Sequence, residues 1–181
     1  MNTANLDRYL TATESTDSSE SMQMRAQSST LVICSCTKGK ALAYGKAEEM
    51  YVGQIFSAIN TYRKSHGYDL VFLSAKLGLL APDMMIEKYD LRLKTQSDAK
   101  RLQNMILAEQ YEFIQLIANY QRIEIIMGSV YESVIVPILL ELNTHAEIFV
   151  LEKENGIFDY KKNLKRLSDG DFTVLKKMEA K

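Results

Sequence analysis

The sequence predicts an α/β fold, a three-layer sandwich built on a four-stranded, mainly parallel sheet. Four short apolar runs have the length and β-branched content of strands buried on both faces: Leu31-Val-Ile-Cys34, Leu70-Val-Phe-Leu73, Ile123-Glu-Ile-Ile-Met127 and Ile148-Phe-Val-Leu151. Stretches with apolar residues at helical spacing lie between them. Strands that alternate with helices pair in parallel through right-handed crossovers. Each run also ends in a small polar loop, and in an open α/β sheet ligands bind beyond the carboxyl ends of the strands.

A length of 181 residues suits one domain plus a tail, and 46% hydrophobic residues suffice for a core. Lys and Arg (22) against Asp and Glu (23) leave a net charge of −1, so the chain as a whole offers no electrostatic footprint for nucleic acid. A local basic groove stays open, because binding follows the distribution of charge. The two cysteines, Cys34 and Cys36, point to opposite faces of a strand, which argues against a disulfide. With no histidine nearby they lack the ligands of a closed zinc site, and neither a metal nor a cofactor is expected. The polar N-terminus and the absence of any apolar run near the roughly 18 residues of a span argue against a signal peptide or membrane segment. A cytoplasmic protein is the expectation.

Residues 1–29, rich in Ser, Thr, Glu, Gln and Asn, read as a disordered tail, and residues 30–181 as a single α/β domain. The first strand, Leu31 to Cys34, opens into Cys36-Thr-Lys-Gly-Lys40. Its two ammonium groups and glycine suit a phosphate, but a plain polar turn between strand and helix is the favoured reading of so short a motif. Ala47 to Ser65 reads as one helix with Ile55, Ile59 and Tyr62 inward, Met50 or Tyr51 completing the stripe, and Gly67 as its left-handed cap.

The second strand and its loop, Ser74-Ala-Lys-Leu-Gly-Leu-Leu-Ala-Pro-Asp83 with Tyr89-Asp90 beyond, form the leading candidate site. Gly78 allows a positive φ, and Pro82 stiffens the exit. The alternative is a strand followed by a solvated loop. Ser97 caps a helix to about Tyr120. The third strand leads into Gly128-Ser-Val-Tyr131 and a helix from Tyr131 to Leu142, where Pro137 fits only the first turn or a kink. The fourth leads into Glu152-Lys-Glu-Asn-Gly156 and a helix with Ile157, Tyr160, Leu164 and Leu167 inward and Lys161, Lys162, Lys165 and Arg166 outward. Phe172 to Leu175 reads as an edge strand or a packed tail. The loops Cys36–Lys40, Ser74–Asp90, Gly128–Tyr131 and Glu152–Gly156 converge on one edge, which speaks for a site more strongly than any one of them.

Cys36-Thr-Lys-Gly-Lys40, Ala47, Tyr51, Phe56, Leu73-Ser-Ala-Lys-x-Gly-Leu-Leu-x-Pro-Asp83 and Tyr89-Asp90 resemble a bacterial and phage family with Cys-Ser-Lys-x-Lys, Leu-Ser-Ala-Lys-x-Gly-Leu and Tyr-Asp motifs. Thr37 stands where that family has Ser, and the first motif also fits one residue pair earlier, at Cys34-Ser35. The likeness spans about residues 31–167 and extends distantly to the uracil-DNA-glycosylase-like domain of archaeosine synthase. It implies a uracil-DNA-glycosylase-like fold and a DNA glycosylase, a hydrolase that excises a modified nucleobase at the N-glycosidic bond, with a place in phage defence. Such an enzyme flips its nucleotide, stacks the base on an aromatic, and holds a carboxylate to an oxocarbenium-like sugar. The resemblance then assigns Asp90 and, less strongly, Asp83 as catalytic carboxylates. It assigns Tyr89 and Tyr51 to stacking, and Lys38, Lys40 and Lys76 to phosphate or the leaving base. Cys36, Thr37, Ser74, Gly78, Gly128, Ser129 and Tyr131 complete the substrate-binding set. His145 precedes the last strand and falls at the wrong end of the sheet. The partner is then DNA with modified bases. The alternatives are an enzyme acting on free nucleotides or nucleosides, and a non-catalytic module that binds nucleic acid or a nucleotide.

Overall fold

The computed structural model describes residues 30–36, 39–142, 145–153 and 157–179. The expected tail, residues 1–29, lies outside the described residues. The strands are β1 (Thr30–Ser35), β2 (Tyr44–Lys46), β3 (Asp69–Ser74), β4 (Gly78–Leu80), β5 (Met85–Glu87), β6 (Arg122–Ile126), β7 (Glu147–Leu151) and β8 (Leu175–Lys177). The helices are α1 (Ala47–Met50), α2 (Gln54–His66), α3 (Gln96–Glu109), α4 (Tyr111–Ala118), α5 (Ser129–Glu141) and α6 (Ile157–Ser168).

The central sheet has six strands, not four, in the order β4-β3-β1-β6-β7-β8. The four apolar runs are the inner strands and pair in parallel, while β4 and β8 are antiparallel edges. Both edge strands are three residues long, too short to show a period of two in sequence. Side chains alternate as a sheet covered on both faces requires. Leu31, Ile33, Leu73, Ile123 and Ile125 pack against Leu102 and Ile106 of α3, Ile114 and Ile117 of α4, and Ile135 and Ile138 of α5. Val32, Cys34, Leu70 and Phe72 pack on the other face against Phe56, Ile59 and Tyr62 of α2 and Tyr160, Leu164 and Leu167 of α6. The three-layer expectation is met. Among the described residues no helix is long and apolar enough to cross a membrane.

Two expected helices are each broken. The stretch 47–65 divides at Tyr51-Val52-Gly53, because Tyr51 is extended (φ −82°, ψ 125°) and Gly53 takes φ 125°, a region nearly closed to other residues. Tyr51 instead forms an antiparallel bridge with Lys40. The cap at Gly67 is as expected, with φ 68°. The stretch 97–120 divides at Gln110 and starts at a Thr95–Asp98 capping box rather than at Ser97. Gln110 serves the edge strand. Its Oε1 accepts from Leu79 N at 2.8 Å, and its Nε2 donates to Leu77 O at 3.2 Å and Leu79 O at 3.0 Å. Backbone groups of β4 that no strand pairs are thereby satisfied.

The helix after β6 begins at Ser129, two residues earlier than expected, and Pro137 lies in its interior. The segment 172–175, expected as an edge strand or a packed tail, is a 3₁₀ turn at Phe172–Val174, started by an Asp171 side chain that accepts from Thr173 N, and the edge strand β8 begins at its last residue, Leu175. β2 and β5 pair with each other as a separate ribbon. It is tied to its surroundings through Ala47 N to Met84 O (2.9 Å), Glu48 N to Pro82 O (3.0 Å) and Lys88 N to Ala43 O (2.8 Å).

Candidate functional site

The chain leaves β1 for β3 on one side and later crosses to β6 on the other. The order of strands therefore reverses at β1, and the crevice beyond the ends of β1 and β6 is the switch point at which open α/β sheets bind ligands. Cys36 stands just past β1, and its Sγ lies 3.7 Å from Tyr131 Oη in the first turn of α5, across that crevice. Tyr131 Oη also accepts from Leu93 N at 3.3 Å.

Beside this pair runs a buried chain of hydroxyls. Ser74 ends β3 and is fully buried. Its Oγ accepts from Lys76 N at 3.2 Å and Leu77 N at 3.0 Å and lies 2.6 Å from Tyr89 Oη. Both acceptor positions of Ser74 are filled, so its proton goes to Tyr89. Tyr89 Oη lies 2.6 Å from Tyr51 Oη, and either hydroxyl can be the donor. Tyr51, 1% exposed, closes this buried chain. Burial pushes the hydroxyls of Tyr51, Tyr89 and Tyr131 well above the ordinary phenol range, and nearby Cys36 adds to the rise in all three. They are neutral donors and acceptors, not phenolates.

The antiparallel bridge to Tyr51 sets Lys40 beside the phenols. Its Nζ is 4.1 Å from the Tyr89 ring centroid and 5.6 Å from that of Tyr51. Lys76, an exposed residue of the turn after β3, places its Nζ 5.7 Å from the Tyr89 centroid. Gly78, with φ 74°, closes that turn. A Cβ there would stand 2.0 Å from Gln110 Oε1.

Ser74, Tyr89, Tyr51, Lys40 and Lys76 are thus brought together, and Cys36 and Tyr131 stand near them. Thr37 and Lys38 lie outside the described residues. Gly128 is the N-cap of α5 and Ser129 its first residue, both exposed at the crevice. The stacking role expected of the two tyrosines does not fit their burial. Lys40 lies over the Tyr89 ring, and the Tyr51 ring packs 4.8 Å from that of Phe72. The two expected carboxylates stand apart from the hydroxyl chain. Asp83 is exposed in the turn closed by Met84 N to Ala81 O, and it makes no bond to its own backbone among the described residues. Asp90 is exposed and Tyr89 buried, so the neighbours point to opposite sides, as an extended segment requires.

One carboxylate that sequence reasoning passed over is near the crevice. Glu132 of α5 pairs with Lys153, which follows β7 and also donates to Met127 O at 2.8 Å. Burial raises the Glu132 carboxyl and Lys153 opposes the rise. Lys153 falls in the polar loop 152–156, which was legible; Glu132 had no signal beyond its closeness to Gly128. Cys34 and Cys36 are free thiols. His145 is exposed ahead of β7, at the opposite edge. Among the described residues no group of three or more His, Cys, Asp or Glu could hold a metal ion.

No curated protein matches this chain. A solved structure that is similar is the crystal structure of AF0587, a protein of unknown function, at 11% identity and a TM-score of 0.43. The similarity covers 88% of this chain and 51% of that one. The chain therefore spans about half the length of that relative. Residues 31–156 match the model of DUF6884, a family of unknown function, and the chain belongs to that family.

Proposed function

We propose that this protein is a DNA glycosylase that excises a modified nucleobase by cleaving its N-glycosidic bond. The observation that carries the reading is the buried hydroxyl chain Ser74–Tyr89–Tyr51 with the Lys40 ammonium against its rings. A flipped base presents carbonyl oxygens and ring nitrogens, which are acceptors for such hydroxyls. In the reaction the bond between C1′ and the base nitrogen breaks, and its electron pair leaves with the base. Lys40, held at the phenols, is assigned as the cation that stabilises the leaving base, the part for which no histidine is at hand. Water attacks C1′ and the proton it loses balances the one gained by the base. A carboxylate at the rim holds the cationic sugar. Asp90, adjacent to Tyr89 and exposed to an incoming strand, is assigned that part, with Glu132 as the competing carboxylate.

The net charge of −1 favours a second reading, an enzyme of the same chemistry acting on free nucleosides or nucleotides. The test is incubation with ordinary DNA, base-modified DNA and the matching nucleosides, with free base and abasic sites as readouts. Release of free base from modified DNA is the expected result. Release from nucleosides alone selects the second reading. Binding of modified DNA without release removes catalysis and leaves a recognition module.

A further inference from the structure

Helix α6 begins just beyond the carboxyl end of β7, and that end is tied to the end of β6 by Lys153, so its first turn borders the candidate site. Its apolar stripe, Tyr160, Leu164 and Leu167, is buried in the core. The opposite stripe holds Phe158, Lys161, Lys162 and Lys165, at i, i+3, i+4 and i+7, all exposed. A charged outer face is ordinary, but a phenylalanine at its head is not. Phe158 is 83% exposed, and covering such a ring is favourable. Among the described residues the three lysines make no hydrogen bond or ion pair. Arg166, on the flank, is by contrast engaged by Asp171 at 2.7 Å.

We propose that this stripe is the docking surface for the sugar-phosphate backbone of a DNA strand, with Phe158 stacking on a base next to the one entering the site. The inference rests on the glycosylase reading and settles its substrate as polymeric rather than a free nucleoside. Charge complementarity selects the occupant, since three unpaired ammonium groups on one line match a run of phosphates. From Lys161 to Lys165 the helix rises about 6 Å, about two phosphate spacings along the axis of one duplex strand. An aromatic combined with a cationic track is the arrangement that holds single strands irrespective of sequence.

The test is fluorescence anisotropy of the full chain with labelled single-stranded and duplex DNA of unmodified sequence, and with RNA of the same sequence, across a salt series. The variants are K161A/K162A/K165A, Phe158→Ala, and Lys100→Ala on α3 at the other face of the sheet. The triple variant is expected to bind DNA at least about tenfold more weakly and to flatten the dependence of log K on log salt by about 2 to 3. Phe158→Ala is expected to lose about fivefold or more on single strands without a change of slope. Wild-type affinity and slope in the triple variant, no DNA binding by the wild type, an equal effect of Lys100→Ala, or tighter binding of RNA than DNA each overturns the proposal. Base release is scored separately. DNA binding through the stripe without base release removes the glycosylase reading and keeps the surface. Base release from DNA with an unchanged KM in the triple variant does the reverse.

Discussion

Replacing Tyr89 by Phe deletes one oxygen and keeps the ring, so the contact with Lys40 survives while both 2.6 Å hydrogen bonds disappear. The loss leaves the Ser74 and Tyr51 hydroxyls each without their Tyr89 partner, at positions 0% and 1% exposed. An orphaned buried polar group costs about 1–3 kcal/mol, and the hydroxyl removed no longer has to be desolvated. The net loss of stability is therefore about 2 kcal/mol. For a chain of this size that corresponds to a fall in Tm of roughly 4–8 °C. Urea unfolding measures the difference if the slope m is unchanged. Ser74→Ala alone removes the same donor and also strands Lys76 N and Leu77 N. The double variant S74A/Y89F should then lose about 1 kcal/mol less than the sum of the singles, because one shared bond is counted twice. A Tyr89→Phe protein within about 0.5 kcal/mol of wild type, or strict additivity in the double variant, would refute the hydroxyl chain as drawn.

Among the described residues, Tyr51, Tyr62, Tyr68, Tyr89, Tyr131 and Tyr160 have pKa values raised by burial. The unfolded chain sheds these protons first, so their contribution is complete below about pH 10 and is lost as pH rises further. Absorbance of tyrosinate should accordingly rise in two stages, the second coinciding with loss of near-ultraviolet circular dichroism. Gly78→Ala combines a left-handed φ with a collision at Gln110 and should destabilise by about 2–3 kcal/mol; a wild-type urea midpoint contradicts this. On modified DNA, Asp90→Asn should lower base release by several powers of ten with DNA affinity kept, and Asp83→Asn should not. If Glu132→Gln abolishes release and Asp90→Asn leaves it intact, the carboxylate is Glu132.

The inner sheet was legible because β1 and β3 are buried on both faces and read as unbroken apolar runs, while β6 and β7 keep short apolar runs despite Glu124 in β6 and partial exposure in β7. The two helix breaks were hidden for different reasons. At Gly53 the signal was present, a glycine inside a helical pattern, but the apolar residues on either side kept their period and masked it. At Gln110 no local signal exists. The residue leaves the helix to serve the backbone of Leu77 and Leu79, more than thirty positions earlier in the chain. A tertiary partner of this kind overrides propensity and has no counterpart in the sequence window.

The same distinction governs the site. Ser74 and Lys40 were marked by position, at a strand end and next to a glycine, and Tyr89 and Tyr51 by the resemblance, and the four do meet. Their roles depend on side-chain direction, which the motif does not carry. Tyr51 lies inside a bridge rather than on a helix face, so its ring faces Phe72 and only its hydroxyl reaches the others. Tyr89 and Asp90 are adjacent, and adjacency in an extended segment separates them. A buried phenol with an exposed carboxylate beside it is the consequence. Chemistry that uses both must hold substrate at the surface where Asp90 is exposed, while the base reaches inward to Tyr51. That demand limits the substrates. A nucleotide in a strand has its sugar outside and its base extruded, and so spans the two sides at once. A carboxylate at the rim is better placed for such a substrate than for a small molecule enclosed among the phenols, and this is why the exposure of Asp90 fits the polymer better than the free nucleoside.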